Sequence, residues 1–302
     1  MQIDKTGDEQ LNGIIVLNKP AGRTSFEAVR DVSRLFYKEK AGHSGTLDPM
    51  ATGVLPVFLG RATKLIQYLP DTDKEYIADI VFGTKTDTGD IEGNIIDTDE
   101  RKPYEADWYA SVTAHLGEQE QIPPMFSAIK KNGVPLYEMA RQGKTIIREP
   151  RLICVKDIET LGFTGDTARI RVRCSAGTYI RTLAEDLAAQ CGCLAHLTSL
   201  ERTYACGFSI KEAVTLEELE KSKDRESYMI KPSALFENNS TVELDDNLAR
   251  LFMNGFAFPT SRVKKKLETD TFVNVCKNSK YIGLGKITED GELKKLWQTE
   301  EL

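Results

Sequence analysis

The sequence predicts an α+β fold: a large domain built on a mixed β-sheet, followed by a small unit of short strands. Three observations lead there. Two stretches alternate apolar and other residues at the strand period, Tyr76 to Phe82 and Ile170 to Cys174. Before and after them, Ala28 to Phe36 and Ile180 to Leu187 carry apolar residues at helical spacing. From about Ser240 the pattern changes to short strands and turns. A chain of 302 residues is long enough for a large core in one large domain or two. The division expected is 1–238 and 239–302, with an insertion at about 124–152.

Taken in order, Gly13-Ile14-Ile15-Val16-Leu17 reads as a buried strand, ended by the turn Asn18-Lys19-Pro20-Ala21-Gly22. Thr24 and Glu27 form a capping-box pattern, and the helix they open places Ala28, Val29, Val32, Leu35 and Phe36 on one face. Next comes AGHSGTLDPMATGVLPVFLGRATKL, Ala41 to Leu65. Gly42, Gly45, Gly53 and Gly60, with Pro49 and Pro56, surround one acid, Asp48. That density predicts a tight, pre-shaped loop. Leu47 and Met50 flank the acid with apolar side chains. From composition, Asp48 reads equally as a turn opener before proline or as a nucleophile or acid/base.

Ala62 to Leu69 reads as a helix ended by Pro70. Lys74-Glu75-Tyr76 opens a strand with Tyr76, Ala78, Ile80 and Phe82 on one side and Ile77 and Val81 on the other. Gly83 to Asp99 is a polar loop or irregular hairpin. Its Asp87 and Asp90 lack the ordered spacing of a calcium loop and read as solvated. Glu105 to Leu116 is a helix with Trp108, Val112, His115 and Leu116 at helical spacing. Gln121 to Ala128 is extended and leads to a turn at Lys130 to Gly133. A short helix, Leu136 to Gln142, follows Pro135.

Arg151 to Ile158 and Ala168 to Cys174 read as strands. In the second, Arg169, Arg171 and Arg173 face away from Ile170, Val172 and Cys174. The helix begun by Tyr179-Ile180-Arg181 has the stripe Ile180, Leu183, Ala184 and Leu187, and Gly192 is placed to stop it. Arg181 lies off the stripe near the helix start, either on the surface or pointing to a site beside the strand end. Cys191, Cys193 and His196 have neither zinc-site spacing nor a fourth ligand, so no metal site is expected. Ser222 to Glu226 reads as a surface loop. In the last unit, Val242 to Leu244, Thr271 to Cys276, Tyr281 to Ile287 and Leu293 to Trp297 are strands. A helix runs from Asp246 to Met253, and Asp290-Gly291 marks a hairpin.

Composition narrows the class. No apolar run reaches membrane-spanning length, and the polar, acidic MQIDKTGDEQ is no signal peptide. Six cysteines in a chain this long form no disulfide framework, so a cytoplasmic setting is expected. The net charge of −6 leaves nucleic-acid binding to local clustering. Lys130 to Arg151 holds six cations against two acids, a local +4, as a clamp on phosphate or as a solvated surface.

The stretch around Asp48 resembles the motif G-H-x-G-x-L-D-P-x-A-x-G-x-L-P of the TruB family of tRNA pseudouridine synthases. Four more segments share the resemblance: the Asn18 to Gly22 turn, Lys74-Glu75-Tyr76, the run from Pro123 through Gly143, and Cys174 to Leu187. It implies a pseudouridine-synthase fold with a C-terminal PUA-like β-barrel, and isomerisation of uridine-55 in the T loop of tRNA without a cofactor. It implies Asp48 as nucleophile, Tyr76 stacked on the target base, and Arg181 paired with Asp48. Tyr179 and Leu200 would contact the uracil, and His43 would occupy the vacated stack. Lys19 would be structural. Lys64, Lys130, Lys131 and Arg141 would meet the RNA backbone, with Tyr137 among the clamp cations and Lys264 to Lys266 possible phosphate contacts. The tRNA T arm is the expected partner, with no membrane and no obligatory protein. The rival expectations are a guide-RNA-dependent enzyme of the dyskerin class and a non-catalytic tRNA chaperone.

Overall fold

The structure is a computed structural model that describes residues 11–263 and 265–299. The acidic N-terminal tail and Lys264 lie outside the described residues. Along the chain come β1 (Gly13–Lys19), α1 (Ser25–Leu35), β2 (Ala41–His43), β3 (Thr52–Leu59), a 3-10 segment at Gly60–Tyr68, and β4 (Lys74–Phe82). A hairpin of β5 (Thr84–Thr86) and β6 (Ile95–Thr98) follows, then α2 (Glu105–Ala114), β7 (Gly117–Gln121), and a second hairpin of β8 (Lys130–Lys131) and β9 (Val134–Pro135). Next are α3 (Leu136–Arg141), β10 (Arg151–Phe163), β11 (Thr167–Cys174), α4 (Ile180–Gln190), β12 (Ala195–Ala205), β13 (Phe208–Ser209) and α5 (Leu216–Lys221).

The main sheet runs β1-β3-β12-β4-β11-β10-β7, with β2 against β3 and β13 against β12. It is mixed: β12 lies parallel to β3 and antiparallel to β4. The alternation that predicts β4 is realised, with Tyr76, Ala78, Ile80 and Phe82 buried. On β11 the buried side chains are Ala168, Ile170, Val172 and Cys174. Its outward arginines meet acids of neighbouring segments: Arg169 with Asp79 at 3.3 Å, Arg173 with Asp73 at 3.5 Å, and Arg171 with Glu159. That basic face is therefore matched locally and is not an open cationic stripe. The capping box on α1 is present, with the Glu27 amide donating to Thr24 Oγ1 at 3.2 Å. A cap of this kind stabilises by about 1 kcal/mol.

Three expectations are corrected and one element is added. The glycine- and proline-rich loop ends at Ala51; Thr52–Leu59 is a strand, paired with β1 along its length. Pro56 falls in the gap between the β12 pairing at Thr52 and Gly53 and the β2 pairing at Val57 to Leu59, so that side of the strand asks no N–H of it. The segment after it winds as a 3-10 helix, opened by Gly60 and tightened by Thr63 Oγ1 donating to the Gly60 carbonyl at 2.8 Å. The helix expected to reach Leu116 stops at Ala114, leaving Leu116 46% exposed while Trp108 and Val112 are buried. The strand β12 is an addition. Its polar residues hide it, because they are spent on neighbours: Ser199 on Asp79 at 2.5 Å and Thr203 on Glu75 at 2.8 Å.

The C-terminal unit contains β14 (Ser240–Glu243), α6 (Asp246–Met253), β15 (Phe258–Pro259), β16 (Phe272–Lys277), β17 (Lys280–Ile287) and β18 (Glu292–Gln298). The sheet order β14-β16-β17-β18-β15 curls as a half-barrel, consistent with the PUA-like expectation. Within the Gly-Leu-Gly stretch, a Cβ on Gly283 would lie 2.3 Å from the Trp297 carbonyl, so glycine lets the two strands approach. Leu284 and Trp297 join Ile14, Val16, Val54 and Phe58 in one core, and the Trp297 indole donates to the Arg61 carbonyl at 2.9 Å. Lys265, expected near phosphate, donates to the Thr241 carbonyl at 3.0 Å. No helix among the described residues is long and apolar enough to cross a membrane.

Candidate active site

The segment between β2 and β3 is held from both sides before any substrate arrives. At the start of α1, Ser25 Oγ donates to the Leu47 carbonyl at 3.0 Å and accepts from the Leu47 amide at 2.8 Å. Lys19, at the end of β1, is wholly buried and donates to the carbonyls of Pro20 at 2.9 Å, Arg23 at 2.6 Å and Pro49 at 3.2 Å. These bonds tie the first turn of the chain to the residue after Asp48, the structural role expected of Lys19. Burial pulls its pKa down to about 8, with Asp48 opposing that shift.

Asp48 meets Arg181 from the first turn of α4. Arg181 Nε lies 2.9 Å from Asp48 Oδ2, and Arg181 Nη2 donates to Oδ1 at 3.2 Å. The same guanidinium donates to the Thr88 carbonyl at 2.5 Å and the Phe126 carbonyl at 2.8 Å. It is only 4% exposed, so it is not a surface arginine. A planar fork with several donors fits this mixture of carboxylate and carbonyls.

A second carboxylate shares the fork: Asp90 Oδ2 is 3.6 Å from Arg181 Nε. Here the solvated-loop expectation fails. Asp90 is 3% exposed, and its Oδ1 accepts from Thr88 Oγ1 at 2.6 Å and from the Glu92 amide at 3.0 Å. Burial raises the Asp48 pKa; Arg181 opposes the rise and Asp90 adds to it.

The cavity in front of this pair has a volume of about 950 Å³ and is lined by Phe26, His43, Asp48, Phe126, Tyr137 and Arg141 among others. His43 is on β2, with its Nδ1 accepting from the Gly45 amide at 3.2 Å. Burial, then the Arg202 charge, lowers its pKa, so the ring is neutral at pH 7. The Arg141 guanidinium stands 5.5 Å over the Tyr137 ring on α3, bringing a cation and an aromatic together on the cavity wall.

The remaining predicted residues lie in four places. Tyr76 and Leu200, each 6% exposed, belong to the core that also contains Leu47, and neither is a wall of the cavity. Tyr179 caps α4, its amide and carbonyl both bonded to Gln121, and burial raises its phenol pKa. Lys130 and Lys131 are exposed on β8, and Lys131 Nζ reaches the Ile147 carbonyl at 3.2 Å. Lys64 is exposed on the 3-10 segment, where its charge and that of Arg61 act on Lys295 of the C-terminal unit. It is not a wall of the cavity.

Besides Asp90, sequence reasoning missed Phe26, 71% exposed on the cavity rim, and the carbonyls of Thr88 and Phe126. Backbone acceptors leave no trace in residue identity. The cluster Cys191, Cys193 and His196 has local partners instead: Cys193 Sγ with the Cys191 carbonyl at 3.5 Å, and His196 Nδ1 with the Thr84 hydroxyl at 3.0 Å.

Residues 33–180 match the TruB family pseudouridylate synthase N-terminal domain. Residues 181–245 match the tRNA pseudouridylate synthase B C-terminal domain, and 240–294 match the C-terminal domain of pseudouridine synthase II TruB. The tRNA pseudouridine synthase B of Saccharophagus degradans is 41% identical over 292 residues, covering 93% of each chain. That of Neisseria meningitidis is 41% identical over 293 residues, covering 96% of this chain and 94% of the relative. The crystal structure of a Cbf5-Nop10-Gar1 complex contains a chain that superposes with a TM-score of 0.68 at 25% identity, over 99% of this chain and 91% of that one. With a glycine-framed aspartate held by a buried arginine and similarity along nearly its whole length, the chain belongs to the TruB family of pseudouridine synthases.

Proposed function

We propose that this protein converts uridine-55 in the T loop of tRNA to pseudouridine, with Asp48 as nucleophile on a flipped-out uridine. The observation that carries the reading is the two-pronged contact of Arg181 with Asp48 at the edge of a cavity wide enough for a nucleotide. The tRNA substrate is supported by the names of relatives that match nearly the whole chain.

The reaction detaches uracil from ribose through N1, turns it, and rejoins it through C5, so no redox or phosphate carrier is required. Asp48 attacks as a carboxylate, and Arg181 favours that form against the pull of burial. Flipping the target out of its stack costs a few kcal/mol. Stacking on Tyr76 returns about 1–3 kcal/mol of this. Tyr76 is rooted in β4, and Leu200 lies opposite Ala78 on the adjacent strand, so both are rigid supports for the base. Neutral His43, beside the loop, fills the vacated stack. Tyr179 contacts the uracil from the start of α4. The hairpin β8–β9 and α3 form a basic clamp on the T arm, with Lys64 meeting backbone elsewhere. The enzyme acts in the cytoplasm without an obligatory protein partner.

The test is pseudouridine mapping in a tRNA transcript incubated with the pure protein alone. A single new pseudouridine at position 55 is expected. Modification that requires an added guide RNA or protein would move the chain to the guide-dependent class. Tight tRNA binding with no pseudouridine at any position would make it a chaperone.

A further inference from the structure

Arg202 on β12 is 1% exposed, one of the largest fully buried side chains. Its Nε donates to the Val54 carbonyl at 2.7 Å and its Nη2 to the Gly45 carbonyl at 3.1 Å. The remaining nitrogen, Nη1, is buried and closes no well-formed hydrogen bond. Among the described residues no carboxylate lies at ion-pair distance from it. A buried cation without an acid partner is costly. The cost is compounded by its neighbours, because its charge also bears on Lys19, His43 and Lys74.

The fold nonetheless fixes Arg202 tightly. Gly53 of β3 is its parallel partner, and a Cβ there would lie 2.2 Å from the Arg202 carbonyl. On the other side its antiparallel partner is Tyr76, directly across the β12–β4 pair. Side chains of directly opposed residues share a face. A register shift follows at Arg202 to Tyr204, the kind of bulge that aims a side chain. The Tyr76 phenol accordingly feels this guanidinium. Burial raises its pKa to about 12, and Arg202 is the first influence pulling it back.

We propose that Arg202 is a positioning residue whose spare Nη1 donor holds the Tyr76 phenol oxygen and stabilises the negative charge that oxygen carries during isomerisation. The inference rests on the function proposed above. Once C5 is bonded to ribose, its proton must leave. A phenolate at Tyr76 takes it: the C5–H bond breaks, its electron pair restores the ring double bond, and the phenol is regenerated. The proton the phenol first gave up is the one that N1 of the released uracil gains, directly or through water. A donor aimed in advance at developing charge, away from water, contributes about 10²–10³-fold to rate.

The experiment is a double-mutant cycle in the full-length protein: Arg202→Met, Tyr76→Phe and the pair, with single-turnover rates on tRNA carrying hydrogen or deuterium at C5 of the target. Arg202→Met is expected to lose about 10²-fold or more in rate with tRNA affinity retained. Its C5 isotope effect should exceed that of the wild type, and the double variant should be no slower than Tyr76→Phe alone. Arg202→Lys, which keeps the cation, goes through the same cycle if the methionine variant does not fold, and should lose less rate than Tyr76→Phe. Additive losses, or a slowed enzyme with the wild-type isotope effect, overturn the proposal. A wild type that forms no pseudouridine would instead overturn the underlying function, so the two failures are distinct.

Discussion

Replacing Arg181 with lysine separates charge from shape at the site. The arginine makes two contacts with Asp48, at 2.9 and 3.2 Å, and donates to the Thr88 and Phe126 carbonyls at 2.5 and 2.8 Å. An ammonium has three donors at one point on a shorter reach, so it cannot serve the carboxylate and both carbonyls. Each buried carbonyl left unmet costs about 1–3 kcal/mol. With both lost, Arg181→Lys is expected to be less stable by about 2–6 kcal/mol in urea unfolding. The charge beside Asp48 persists, so the catalytic loss is one of position. A misplacement of about 1 Å costs on the order of 10²-fold in rate. Single-turnover pseudouridine formation on a tRNA transcript should fall by about that factor or more, with little change in Kd. A full-rate Arg181→Lys enzyme would refute the argument that the fork holds Asp48 in line, and a loss confined to Kd would assign Arg181 to binding.

Asp48→Asn should abolish pseudouridine formation while tRNA binding persists; near-normal turnover would remove Asp48 from the chemistry. The same variant tests the electrostatics. The Asp48 pKa is raised above its ordinary 3.8, so folding favours the protonated acid and ionisation costs stability above the raised value. The Asn variant should therefore be more stable than wild type in urea at neutral pH, with the difference fading towards pH 3. Tyr76→Phe keeps the stacking face and should bind tRNA normally yet lose most turnover; full activity would confine Tyr76 to stacking. Neutralising Lys130, Lys131 and Arg141 together should weaken tRNA binding and flatten its dependence on salt, since each phosphate contact contributes to that slope. An unchanged slope would make the hairpin an ordinary solvated surface.

The parts of this architecture most legible in sequence are those whose local chemistry repeats. The alternation along β4 and β11 is realised residue by residue in burial, and the Thr24 to Glu27 box opens α1 where expected. The pairing of Asp48 with Arg181 was legible through the motifs that surround each residue. What stayed hidden depends on partners distant in sequence. The polar strand β12 is central only because Asp79, Glu75 and Val54 satisfy its side chains. Asp90 reads as a solvated loop acid until the β5–β6 hairpin folds it against Arg181. Glycines and prolines around Asp48 signal a rigid loop, but Gly53 and Pro56 serve a strand, where close backbone approach and a gap between flanking strands set their use.

The core shared by Ile14, Val16, Phe58, Leu284 and Trp297 has a thermodynamic consequence for the chain as a whole. Strands at opposite ends of the sequence close one apolar layer, so neither part can melt without uncovering the other. Calorimetry should record a single cooperative transition. A chain cut after Asn238 would leave the outer side of β1 and β3 open to water and gather into aggregates instead of behaving as a smaller enzyme. The late-synthesised strands thus act as a completion check: until residues near 297 have emerged, the sheet beneath the site has no far wall.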